Sequence, residues 1–148
     1  HYGNKEKLFL ASGLDVLEHF LVKLREATAQ GHNGFDAALR FCKAYLDFSI
    51  GPDSSWLVLV RCSPYSDMKT KTDRDIMDSM FSQVHQELER VIAKGVADGS
   101  IVSVDSHATA QVIISLMVGA NRTRVLTPYA APDLYQEVLD FVARSIRP

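Results

Sequence analysis

The sequence predicts an all-α fold, a helical bundle of about six helices, and three observations carry that prediction. Apolar residues recur at steps of three and four over most of the 148 residues, the spacing that lines one face of an α-helix. Glycine, proline and Asn/Asp residues fall between those stretches at short connections, as in a compact bundle. One continuous apolar run, Trp56 to Val60, has no second run to pair with. An isolated strand would leave its backbone donors and acceptors unpaired, so this run is read as a buried helix.

The first helix is expected from Asn4, as N-cap, to about Ala29, with Leu10, Leu14, Leu17, Leu21 and Leu24 as its stripe and Val16 and Phe20 widening it. Asn accepts a hydrogen bond from a first-turn N–H, and Glu6 lies where the helix dipole favours negative charge. The run Gln30-Gly31-His32-Asn33-Gly34 supplies a stop, because glycine and Asn take the conformations that end helices. Phe35, Ala38, Leu39, Cys42, Tyr45 and Leu46 stripe the second helix, which Gly51-Pro52-Asp53 ends before the Trp56 run. After a polar stretch, Asp73 opens a long helix with Met77, Met80, Phe81, Val84, Leu88, Val91 and Ile92, closed by Asp98-Gly99. Further helices are expected over about Ser106 to Leu126 and about Pro132 to Ile146, with proline in the first turn, where its missing N–H costs nothing. The last helix has two apolar faces, Leu134, Val138 and Phe141 on one and Tyr135, Leu139, Val142 and Ile146 on the other. Such a helix needs two partners.

Composition narrows the functional classes. The chain is 47% hydrophobic and 23% charged with a formal net charge of −2, which gives these residues alone no basis for holding a phosphate backbone. Its apolar stretch Val112 to Ala120 falls far short of the roughly 20 residues of a membrane span. No secretory pattern opens the sequence, and the cytoplasm is the expected location. Cys42 and Cys62 lie among apolar neighbours and suit reduced core thiols better than a bridge.

Catalytic signatures are missing. There is no phosphate-cradling glycine loop, no Gly-x-Ser-x-Gly elbow, and no pair of histidines at zinc-hydrolase spacing on one helix. Glu87 and Glu89 fall on different helix faces. His85 and Glu89 are one helical turn apart and make half a metal site, for which a solvated pair is the simpler reading. No enzyme, no cofactor and no metal centre is expected.

Two stretches carry a resemblance. The opening His1-Tyr2-Gly3-Asn4-Lys5-Glu6-Lys7-Leu8 lacks an initiator Met. It resembles the junction between the helix-turn-helix and the first sensing-domain helix of tetracycline-repressor-like (TetR family) regulators, although Tyr2 stands where that family more often has Phe. Asp98-Gly99-Ser100-Ile101, Asp105 to Ala110, and Gly119 are similar to a second pattern of the same family: a Gly after a long helix, a capping Asp, an Ala in the next helix and a later Gly. The resemblance implies a remnant of the DNA-reading domain over 1–4 and a ligand-sensing and dimerisation domain over 5–148. Tyr2 and Lys5 then correspond to DNA-contacting positions. The last two helices pair with their copies in a second subunit as a four-helix bundle, with Ile113, Met117, Gly119, Ala120, Leu134, Val138, Phe141 and Val142 at the dimer interface.

The resemblance also implies an effector pocket among the middle helices, for which Tyr45, Trp56, Leu59, Met77, Met80, Phe81, Val84, His85 and Met117 are the candidates. The same residue types fill ordinary helical cores. His85, beside the apolar stripe of its helix, is the candidate for a ligand hydrogen bond, and Arg61 with Asn121-Arg122-x-Arg124 could meet an acidic group. The expected function is a transcriptional regulator, usually a repressor. Its partners would be a second copy of the chain, operator DNA through a missing helix-turn-helix, and a small, largely apolar effector, with no membrane. The rival readings are a helical small-molecule carrier or enzyme and a plain helical interaction domain.

Overall fold

The computed structural model describes the backbone of residues 2–50 and 71–148, and the side chains of residue 8 and of residues 11–50 and 71–148. Among these residues the chain forms five helices and no strand: α1 (Tyr2–Ala29), α2 (Gly34–Phe48), α3 (Lys71–Asp98), α4 (Ser106–Leu126) and α5 (Leu134–Ile146). The helix expected around Trp56 to Val60 lies outside the described residues. The long α3 packs against α1, α2 and α4, while α5 lies across α2 and α4. Leu17, Phe20 and Leu24 of α1 meet Ala38, Phe41 and Cys42 of α2, Met77, Leu88 and Ile92 of α3, Met117 of α4 and Ile146 of α5 in one buried core. No described helix is long and apolar enough to cross a membrane.

Several boundaries follow from caps. Asp105 accepts from the Ala108 N–H at 2.7 Å and Thr127 ends α4 in an extended conformation, so α4 has the bounds that the sequence predicts. Three expectations need correction. The first helix starts at Tyr2, which places Asn4 inside the first turn and not ahead of it; an Asn there costs well under ~1 kcal/mol of propensity and does not stop a helix. The long helix is already helical at Lys71, two residues before Asp73. The last helix opens at Leu134, whose N–H closes a turn onto the Ala131 carbonyl at 3.1 Å, so Pro132 belongs to that turn and not to the helix.

Gly34 is also different from its sequence reading. Asn33, extended at φ −151°, is the N-cap of α2, accepting from the Asp36 N–H at 2.8 Å, and Gly34 is the first helical residue. A Cβ on Gly34 would lie 2.0 Å from the Gly95 nitrogen and 2.1 Å from its Cα. The residue is there because two helix backbones touch.

That contact places the start of α2 under the end of α3, where it is capped from a distance. The Gly34 N–H donates to Asp98 Oδ2 at 2.9 Å and the Phe35 N–H to Ser100 Oγ at 3.0 Å, while the Ser100 hydroxyl donates to Asp98. Gly99, at φ +83°, makes the left-handed step that returns the chain. Two of the orphan N–H groups of α2 are thus satisfied by the Asp98-Gly99-Ser100 turn.

The hydrogen bonds from the Ser100 hydroxyl, then from the Gly34 and Ser100 N–H groups, hold the Asp98 carboxyl below the ordinary value of 3.8. A depressed carboxylate contributes stability that is fully present above its unfolded-state value and lost as pH falls through the folded one. Denaturant midpoints measured across that acidic window should therefore decline less steeply for Asp98→Asn than for the parent. Parallel declines would show that the cap is not formed in solution.

Cys42 is completely buried and unbridged, and burial pushes its thiol up to about 12, which makes it an inert core group. Cys62 lies outside the described residues.

Candidate functional site

One polar feature that the described helices build between them lies where the middle of α3 faces the first turn of α4. His85 and Glu89 are one turn apart on α3 and project from the same face. His107, held in the first turn of α4 by the Asp105 cap, comes to meet them. His107 Nδ1 donates to Glu89 Oε2 at 3.0 Å, His85 Nδ1 lies 3.6 Å from the same oxygen, and the two imidazole rings pack edge to face with centroids 4.8 Å apart. The side chains are 21%, 36% and 67% exposed for His85, Glu89 and His107, so the cluster is half-sheltered yet reachable from solvent.

It forms one wall of a pocket of about 410 Å³, whose remaining lining includes Asp78, Phe81, Ser82, Gln86 and Gln111. Such a pocket offers an aromatic face together with convergent polar groups, the usual make-up of a small-molecule site. A neighbouring recess of about 380 Å³ further along α3 is lined by Ile76, Ser79 and Met80.

The predicted pocket residues divide. Phe81 and His85 line the α3–α4 pocket and Met80 its neighbour. Tyr45, Met77, Val84 and Met117 are buried in the core. The Tyr45 ring stacks edge to face on Phe20 at 4.8 Å, and burial raises its hydroxyl above the ordinary value. Trp56, Leu59 and Arg61 lie outside the described residues, as do the side chains of Tyr2 and Lys5, whose backbones are in α1.

Among the residues expected at a dimer surface, Ile113, Met117, Ala120, Val138 and Val142 are in the chain's own core. Leu134 is half-buried, Gly119 is exposed with no neighbouring atom within 4 Å of an added Cβ, and Phe141 is 54% exposed. A second, apolar groove of about 260 Å³ runs between α4 and α5 past Val112, Leu116 and Phe141.

The Asn121 to Arg124 segment is structural. Asn121 is buried and its Oδ1 accepts from the Tyr135 hydroxyl at 2.9 Å, which lies 2.6 Å from Ser49 Oγ, and the Arg124 guanidinium sits 4.7 Å over the Tyr135 ring. These bonds tie α4 and α5 to the end of α2.

His107 is the site residue that sequence spacing does not reveal. Its partners are on another helix, so no i, i+4 pattern includes it. The Asp105 cap, which fixes the first turn of α4, is the available signal.

The arrangement of these helices is a TetR-like fold. The sequence matches no protein-family model and no curated protein. Among solved structures, the chain is similar to a bacterial regulatory protein of the tetR family from Rhodococcus RHA1, with a TM-score of 0.79 and 19% identity over 99% of this chain and 76% of that one. It is also similar to AibR, solved in complex with isovaleryl coenzyme A and operator DNA, with a TM-score of 0.78 and 14% identity over 100% of this chain and 77% of AibR.

Proposed function

We propose that the chain is the effector-binding and dimerisation part of a TetR-like transcriptional regulator, a cytoplasmic repressor and not an enzyme. The observation that carries this reading is the likeness to such regulators along practically the whole chain at TM-scores of 0.78 and 0.79. The pocket between α3 and α4 is the effector site. AibR's isovaleryl coenzyme A has a small branched apolar acyl group and a large polar remainder; an effector of mixed character also suits a pocket that sets Phe81 beside Ser82, Gln111 and the histidine cluster. Effector binding biases the tilt of α1, which carries the DNA-reading segment, and the ligand must prefer the released arrangement for switching to follow. Two reading heads then lose the spacing of successive major grooves.

Dimerisation in this reading uses the outer faces of α4 and α5. Val112, Leu116 and Gly119 recur at steps of four and three on α4, and Val112 and Phe141 are 69% and 54% exposed. A second copy covers that stripe and enters over Gly119, where an added Cβ meets nothing within the chain. Sedimentation should give the mass of two chains at micromolar concentration, and Phe141→Glu should weaken self-association by about tenfold or more, since burying an unpaired carboxylate costs several kcal/mol. Phe141 is an exposed side chain, so the helical signal should survive the change. A strict monomer across micromolar concentrations would overturn the dimer and with it the regulator reading.

A further inference from the structure

We infer that His85, Glu89 and His107 form a binding site for one divalent first-row transition-metal ion, with zinc the best match. The inference goes beyond the regulator reading and stands or falls independently of it.

Donor chemistry comes first. Two imidazole nitrogens and one carboxylate oxygen are the ligand set of open zinc sites and of other first-row divalent ions, whereas magnesium and calcium prefer all-oxygen shells. The three ligand atoms lie within 4.8 Å of one another. Donors about 2.1 Å from a tetrahedral ion are about 3.4 Å from each other. The observed separations to Glu89 Oε2, 3.0 Å from His107 and 3.6 Å from His85, bracket that value. All three ligand atoms lie within 4.8 Å, so the two imidazoles must turn toward each other to centre an ion beside Glu89.

Scaffold geometry comes second. His85 and Glu89 are fixed relative to each other by one turn of α3, and His107 is fixed by the capped first turn of α4. An ion there would clamp two helices that pack on each other and contribute Leu88 and Ala110 to the same core. Three protein donors leave a fourth position of a tetrahedral ion open. It faces the pocket, where Ser82 and Gln111 are placed to orient water or an oxygen donor of a bound molecule.

The test uses purified protein, stripped by a chelator and titrated with Zn2+ alone, by calorimetry and by competition with a chromophoric chelator. One ion per chain should bind with a dissociation constant in the micromolar range or tighter, and thermal stability should rise with free Zn2+ as linkage requires. His107→Ala, at a mostly exposed position that leaves the core intact, should weaken binding by about tenfold or more, and Glu89→Gln and His85→Ala should do likewise. Gln136→Ala, at an exposed position on α5 away from the cluster, should leave affinity unchanged. Substitution with Co2+ should give the visible bands of a four-coordinate ion in the parent and lose them in His107→Ala. No saturable binding tighter than about 100 µM, or an affinity indifferent to His107→Ala, overturns the site and leaves the trio as a hydrogen-bonded contact between helices.

Discussion

Phe20→Ala is expected to cost about 3–5 kcal/mol and to lower the melting temperature by roughly 10 °C or more. The Phe20 ring is 1% exposed, and its centroid lies 4.8 Å from Tyr45 and 4.9 Å from Phe48. It fills the seam where α1 crosses α2, and α1 is held from another side by α3. A cavity there has little room to collapse, so the lost contacts are not recovered. Phe20→Leu, which keeps most of the volume, should cost about 1.5 kcal/mol or less. Denaturant unfolding of both variants reads the difference. A loss below ~1 kcal/mol for the alanine would mean that the seam relaxes around the gap.

Gly34→Ala ranks next. The new methyl would overlap the backbone of Gly95 and approach the Val91 carbonyl oxygen at 2.7 Å, and none of these atoms belongs to a flexible side chain. Helix α2 must move off α3, which strains the two hydrogen bonds to Asp98 and Ser100. The expected loss is about 3 kcal/mol, the upper part of the overpacking range. The ~1 kcal/mol that alanine gains over glycine in a helix does not offset it. A fall in melting temperature of roughly 6–12 °C should follow, against little or no fall for Gly119→Ala, where the space is open. Equal effects at the two glycines would show that the α2–α3 contact is looser than the structure has it.

The contrast between these glycines shows what sequence could and could not reveal. Periodicity identified the buried stripes, because the α1 residues Leu17, Leu21 and Leu24 and the α3 residues Met77, Leu88 and Ile92 are inside for the reason that places them on one helical face. The capping Asp105 marked the start of α4. Gly34 belongs in sequence to the run that ends the first helix, and α1 does end at Ala29; that it also seats α2 against Gly95 has no local signature, because Gly95 is far along the chain. Gly119 is among the residues that the resemblance puts at a dimer interface, and within one chain nothing approaches it. Interior residues such as Met77 and Met117 look the same in sequence whether they line a cavity or fill a core; only the packing separates them. His85 and Glu89 were recognisable as a pair, and the third member of their cluster was not, because it arrives from another helix.

The Gly34–Gly95 contact has a mechanical consequence. Where two backbones touch without intervening side chains, no soft side chain takes up a change in helix spacing, and such a contact can serve as a pivot. Helix α1 ends close to that fulcrum and extends away from it for 28 residues, a lever of about 40 Å. Turned by about 5° as a rigid rod about its Ala29 end, such a lever would carry its Tyr2 end through about 3–4 Å. In the proposed regulator, a small adjustment between α3 and its neighbours would thereby be magnified at the far end of α1, without any helix having to unfold.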